Sequence, residues 1–209
     1  GTGANLIYPI IGSAEYGWSF VGSDIDNDSI RWGKQLCKIN SRLNKQIKLR
    51  LQTNSSDIFQ GIINPNDYFA FSMCNPPFHK SEQEARAGSQ RKLNNLASHK
   101  KDKTQKLDRL NFAGRSNELW CQGGEKLFVT KMIRQSRQFA QQVLWFSTLV
   151  AKKDNLPKIY QEIKNIKAEQ VKTINMAQGN KSSRFVAWSF LTPEQQHNWF
   201  RQHYSWQPS

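Results

Sequence analysis

A mostly parallel α/β sheet, with helices on both faces and an antiparallel pair at one edge, is what the sequence predicts, and three observations carry it. Apolar runs of strand length alternate with amphipathic stretches of helical period along the chain. The run "QVLWFSTLV" (142–150) is apolar almost throughout, as strands covered on both faces are. Near the C-terminus two strand-like runs flank "QGNKSS", a turn-rich link that suits a hairpin.

In order, "GTGAN" is read as a glycine loop with Ala4 opening a short helix, and "WSFVGSDI" (18–25) as a buried strand. A helix over 26–43 follows, with Asp26 and Asp28 at its positive N-terminal end. "IKLRLQ" alternates as a strand does, and "DYFAFSMCN" (67–75) is a longer apolar one. Residues 80–117 carry ten Lys and Arg against four acids, a net charge of +6, with one aromatic, Phe112. Such a segment is expected to be a long loop or helical lid, mobile without its ligand. Beyond it Phe128, Met132, Ser136 and Phe139 fall at helical spacing. After the 142–150 strand, Leu156, Ile159, Ile163 and Ile166 mark one face of a further helix, with Asp154 or Asn155 as N-cap and Pro157 in the first turn, where a missing N–H costs nothing. "QVKTINMA" and "RFVAWSFL" close the chain's regular structure.

The 209 residues suit one domain with a real core, and the net charge of +14 with pI near 9.9 points to a polyanionic partner, nucleic acid above all. Cys37, Cys74 and Cys121 stand far apart with no C-x-x-C pair, so they build neither a disulfide framework nor a zinc site. They suit a reducing compartment. Without a bilayer-length apolar run or a signal-like opening, the expectation is a cytoplasmic, metal-free monomer.

Ligands of such sheets bind beyond the carboxyl ends of the strands, and three motifs fall there. In "GTGAN", Gly1 and Gly3 let the backbone approach a ligand, but the third glycine of the dinucleotide fingerprint is missing, which argues against a dehydrogenase. In "GSDID", Asp24 ends the next strand, 21 residues after Gly3, where a carboxylate accepts the ribose hydroxyls of an adenosine group. Asp26 and Asp28 are read as helix caps. In "MCNPPFHK", Asn75 is followed by two prolines and Phe78. An amide oxygen and the Pro76 carbonyl, stiffened by Pro76 and Pro77, form a pair of acceptors suited to an exocyclic amine, with Phe78 as a stacking face. Drawing the amine's N–H groups out of conjugation turns its lone pair toward an electrophile.

Those motifs in that order resemble the class I S-adenosylmethionine-dependent methyltransferases. "GTGANLIYPIIG", "MCNPPFHKSEQEA", "NELWCQGGE", "VLWFSTLV" and "MAQGNKSSRFVAWSF" are similar, over nearly all 209 residues, to the RlmF family of 23S rRNA adenine-N6 methyltransferases, related to the human enzyme that acts on U6 snRNA. The resemblance implies a Rossmann-like, mostly parallel seven-stranded sheet with an antiparallel C-terminal hairpin, its first strand preceding this chain. It implies one methyltransferase domain over 1–209, N-terminally incomplete, with the basic insertion at 80–117. It further implies S-adenosyl-L-methionine as cofactor and one adenine of 23S rRNA, free or in a large-subunit assembly intermediate, as substrate. Gly1 and Gly3 match the cofactor loop, Asp24 the ribose acceptor, and Asn75, Pro76, Pro77 and Phe78 the catalytic motif.

Asn54, after the third predicted strand, is a candidate for the adenine edge, with a turn or cap role as the alternative. Lys181 and Arg184 in the hairpin link, and Lys100, Lys101 and Lys103 in the insertion, are candidates for RNA phosphates, against solvated charge. His79 is read as a pocket wall, since amine methylation releases its proton to water. The competing readings are a guanine-N2 rRNA methyltransferase, a glutamine-N5 protein methyltransferase, and a truncated RNA-binding remnant without activity.

Overall fold

The computed structural model describes residues 1–87, 119–178 and 181–204, with backbone alone at 177–178 and 181–182. The basic residues Lys100, Lys101 and Lys103, and with them 88–117 of the expected insertion, lie outside the described residues.

Helix α1 (Ile7–Tyr16) starts later than expected: Leu6, not Ala4, precedes it in a left-handed conformation (φ 47°), and Gly17 ends it at φ 69°. Strand β1 (Phe20–Asp24) leads into α2 (Asn27–Ile39), capped by the Asp26 carboxylate on Asp28 N and Ser29 N. The helix expected over 26–43 is two helices. Asn40 is extended (φ −122°) and its side chain caps a new helix, α3 (Ser41–Gln46), through Arg42 N and Leu43 N. A residue whose short amide offers the backbone an alternative acceptor breaks the helix there. Strands β2 (Ile47–Leu51) and β3 (Phe69–Phe71), helix α4 (Gly124–Ser136), strand β4 (Val143–Val150), helix α5 (Leu156–Asn165), strands β5 (Gln170–Gln178) and β6 (Lys181–Ser189), and helix α6 (Pro193–His203) complete the order. A full capping box, Thr192 with Gln195, opens α6.

Six strands stand among the described residues, in two sheets rather than one sheet of seven. β1 and β2 pair in parallel, Phe20 opposite Ile47 through Asp24 opposite Leu51. The other sheet runs β3-β4-β6-β5: β3 and β4 are parallel, and β6 is antiparallel to both neighbours. The expected C-terminal hairpin therefore joins the sheet through its second strand. β1 and β3 share no ladder, and Trp18, just before β1, packs its ring edge to face on Phe71 of β3 at 4.9 Å.

Cross-strand register puts Phe146, Thr148 and Val150 on one face with Trp188, Val186 and Arg184. That face is covered by α4 and α5 through Val129, Met132, Ile133, Ile159 and Ile163, all buried. The Trp188 indole donates to Ser136 Oγ at 2.9 Å, so the largest core residue is both packed and satisfied. Leu144, Leu191 and Trp199 form a separate cluster with α6, and Leu6, Cys37, Leu43 and Ile47 one beneath α1 and α2.

Candidate active site

The β1 ladder runs one step past the strand, Gln52 N donating to Asp24 O at 2.8 Å. On the other edge the glycine loop is laid against the same strand end: Thr2 N donates to Ser23 O at 2.8 Å and Gly3 N to Asp24 Oδ2 at 2.9 Å. Asp26 N donates to Asp24 Oδ1 at 3.0 Å, and the carboxylate is buried. A Cβ on Gly1 would stand 2.2 Å from Asp24 Oδ2, so only glycine fits there. Asp24 thus shapes the loop as well as ending the strand. Each of its oxygens accepts one backbone N–H and keeps further acceptor capacity for a ligand hydroxyl.

Asn54 is a turn residue. Its Oδ1 accepts from Ser56 N at 3.0 Å, its Nδ2 donates to Asp57 Oδ2 at 2.7 Å, and its carbonyl accepts from Asp57 N at 2.9 Å. The alternative weighed against the adenine-edge role is the one its hydrogen bonds satisfy. This turn is anchored by Gln135 of α4, which sequence reasoning missed: its Nε2 donates to Asp57 Oδ1 and its Oε1 accepts from Ile58 N and Phe59 N. A lone glutamine within a helix carries no signal for such a tether.

Backbone pairing of β3 outlasts the strand. Ser72 N donates to Trp145 O at 2.9 Å and Leu149 N to Cys74 O at 2.8 Å, and there the ladder stops, because Pro76 and Pro77 have no N–H to continue it. Asn75 stands one residue past the last rung, exposed, with no side-chain hydrogen-bond partner among the described residues. Pro76 and Pro77 are buried beneath it, and Phe78 is half-buried.

His79 is held through its backbone, which donates to Leu119 O and accepts from Cys121 N, both at 3.1 Å, as a parallel bridge to Trp120. The two ends of the basic segment are therefore stitched together directly after the motif. The His79 ring lies 3.9 Å from Glu84, whose carboxyl is held below its ordinary range by the Lys80 backbone N–H and then by the Lys152 and His79 charges.

Helix α1 approaches the Asn75 motif through Tyr8. Burial pushes up both the Cys74 thiol and the Tyr8 phenol, the latter further raised by Cys74 beside it. Tyr8 of α1 thus stands near Cys74, the residue preceding Asn75.

Arg184, a candidate for RNA phosphate with solvated turn charge as the alternative, is instead 7% exposed within β6, opposite Val150 and Asn175. Its Nη1 is buried without a partner among the described residues. The hairpin begins its pairing at Gln178 and Lys181, which draws Arg184 three residues into the ladder and under the sheet's neighbours. Lys181 opens β6, its side chain outside the described residues. Glu125, buried at the start of α4, was also missed, although "QGGE" marks a glycine-flanked carboxylate. Among the described residues no group of three His, Cys, Asp or Glu is placed to hold a metal, and no helix is long and apolar enough to cross a membrane.

A family model described as RNA methyltransferase matches residues 1–192. Ribosomal RNA large subunit methyltransferase F of Pectobacterium carotovorum is 50% identical over 201 residues, covering 96% of this chain and 63% of that protein. The protein of the same name from Shewanella woodyi is 50% identical over 207 residues, covering 95% of this chain and 54% of that protein. The chain thus spans somewhat over half the length of these curated relatives. Among solved structures, the human METTL16 catalytic domain in complex with MAT2A 3'UTR hairpin 1 superposes with a TM-score of 0.71 at 25% identity, covering 92% of this chain and 63% of that one. The human METTL16 N-terminal domain in complex with SAH, at 23% identity and TM-score 0.66, shares the fold.

Proposed function

This chain belongs to the RNA methyltransferase family, and from that premise we propose that it is the catalytic part of an enzyme that methylates the exocyclic N6 amine of one adenine in 23S rRNA. The observation that carries the reading is Asn75, an exposed amide with no side-chain partner among the described residues, at a strand end on buried prolines. S-adenosyl-L-methionine, when bound, supplies an electrophilic methyl group on a positively charged sulfur. The residues present fit it: a loop in which Gly1 has no room for a Cβ, and a buried Asp24 with acceptor capacity left for ribose hydroxyls.

Asn75 Oδ1 and the Pro76 carbonyl accept the two N–H groups of the target amine, draw its nitrogen out of conjugation with the ring and aim its lone pair toward the electrophile. Phe78 supports the base by stacking. Methyl transfer would break the sulfonium C–S bond, leaving a neutral thioether, as the C–N bond forms; the amide and carbonyl dipoles would stabilise the positive charge gained by the nitrogen, whose proton would leave to water, so no strong base is required. Lys181, Lys100, Lys101 and Lys103 take RNA phosphates, whereas Arg184, buried in the ladder, is left out of that set. The protein acts as a cytoplasmic monomer on free 23S rRNA or on a large-subunit assembly intermediate. Relatives named for this activity and the charge of +14 support the reading.

Nucleoside mapping of 23S rRNA from cells lacking the full-length gene tests it. Loss of a single N6-methyladenosine is the expected result; an unchanged adenine profile with a missing N2-methylguanosine would move the substrate to guanine.

A further inference from the structure

We propose that Glu125 is a positioning residue for methyl transfer, a buried clamp that holds the chain after β4 and thereby the strand end presenting Asn75. The inference rests on the function proposed above. Glu125 is 1% exposed and accepts three hydrogen bonds, from Ala151 N at 2.8 Å, Lys152 N at 3.2 Å and Asn155 Nδ2 at 2.6 Å. All three donors belong to the turn that leaves β4. Two residues before that turn, Leu149 N makes the last rung to Cys74 O, the residue before Asn75.

Its neighbour works on the other side of the motif. Gly124 sits in the left-handed region (φ 61°), and a Cβ there would meet the His79 carbonyl group at 3.3 Å and Lys80 Cγ at 3.0 Å. The first residues of α4 therefore touch the backbone just after Phe78 and the backbone just after β4 at once. Lys152 closes the ring, its ammonium 3.7 Å from Glu84, which neighbours His79. Among the described residues Asn75 has no side-chain partner of its own, so its aim depends on how firmly these two segments are held.

Only a carboxylate accepts from three donors without contributing one. A glutamine at 125 would bring an NH2 among N–H groups and leave at least one buried donor unpaired. Misplacing a catalytic group by about 1 Å costs on the order of 10²-fold in rate without touching affinity.

The test uses the full-length protein with Glu125→Gln and the milder Asn155→Ala. Single-turnover methylation is expected to slow about 10- to 100-fold in the first and about 3- to 10-fold in the second, by the scale of other orienting partners. RNA and cofactor affinities are expected within about two-fold of wild type, a split that lost stability alone would not produce. Hydrogen exchange at Ala151 and Lys152, measured without RNA, is expected to accelerate in Glu125→Gln. Wild-type rates in both variants, whatever their melting temperatures, overturn the proposal; so does unchanged exchange. Should Glu125→Gln not fold, an unchanged rate in Asn155→Ala is enough to overturn it. A wild-type protein that transfers no methyl to rRNA sinks the functional reading instead, and the exchange measurement then decides the clamp by itself.

Discussion

Asn75 lies past the last rung of its strand and bonds to nothing among the described residues, so replacing it touches the guest and not the fold. Asn75→Ala is expected to lower kcat on the order of 10²- to 10³-fold, the scale for losing one preorganised hydrogen-bonding group. Its melting temperature and cofactor affinity should stay near wild type; single-turnover kinetics beside calorimetry checks this, and a wild-type rate would reduce the motif to a stiff strand terminator. Phe78→Ala should act on binding, weakening the hold on the base by about 1 to 3 kcal/mol of stacking. Asp24 behaves differently from both, because its carboxylate organises the glycine loop through Gly3 N and Asp26 N. Asp24→Ala is therefore expected to weaken cofactor binding by about 1.5 to 3 kcal/mol per lost charge-assisted bond and to lower the melting temperature as well. Unchanged affinity in calorimetric titration would remove Asp24 from the cofactor site.

At the scale of elements, α4 and α5 are tied by the buried Glu162 carboxylate, which accepts from Arg134 at 2.9 and 3.0 Å and from Lys158 at 2.6 Å. Those bonds hold its pKa down to about 2. A carboxyl whose pKa is lower folded than unfolded contributes stability in full above its ordinary value and loses it as pH falls. The α4–α5 packing, and with it the core over Phe146 and Trp188, is expected to weaken as pH drops from about 4.5 toward 2. Glu162→Gln should lose about 2 kcal/mol near neutrality, the scale of hydrogen bonds to charged groups, and flatten the acid limb of the melting-temperature profile. An acid limb identical to wild type would place the sensitivity elsewhere. The same pair of helices explains a cap that reads differently in sequence and in space: Asn155 does stand at the start of α5, but its side chain donates to Glu125 instead of capping the helix.

For the whole molecule, charge governs association. With +14 overall, of which +6 falls in residues 80–117, RNA affinity is expected to fall steeply with salt. Replacing Lys100, Lys101 and Lys103 with Ala should flatten the slope of log affinity against log salt by up to about two to three units if all three reach phosphates. An unchanged slope would leave them a solvated face. The described structure supplies one constraint on that segment: it leaves and returns through the paired backbones of His79 and Trp120, directly behind Phe78.

What the sequence by itself determined are the features written in local chemistry. Pro76 and Pro77 end a strand because they lack donors, Asp26 caps α2 because its carboxylate is adjacent to bare N–H groups, and the helical and strand periods show which stretches face a core. The order of the motifs placed Gly1, Gly3, Asp24 and Asn75 at strand ends, and Asp24 is joined to the loop as the order required. Only the tertiary structure decided the rest, because each remaining outcome depends on a neighbour distant in sequence. Arg184 is buried because β4 and β5 lie on either side of it, and Glu125 is a clamp because the turn at 151–155 comes back over the first turn of α4. The separation into two sheets likewise reflects which backbones meet: β1 and β3 approach closely enough for Trp18 and Phe71 to pack, yet share no ladder.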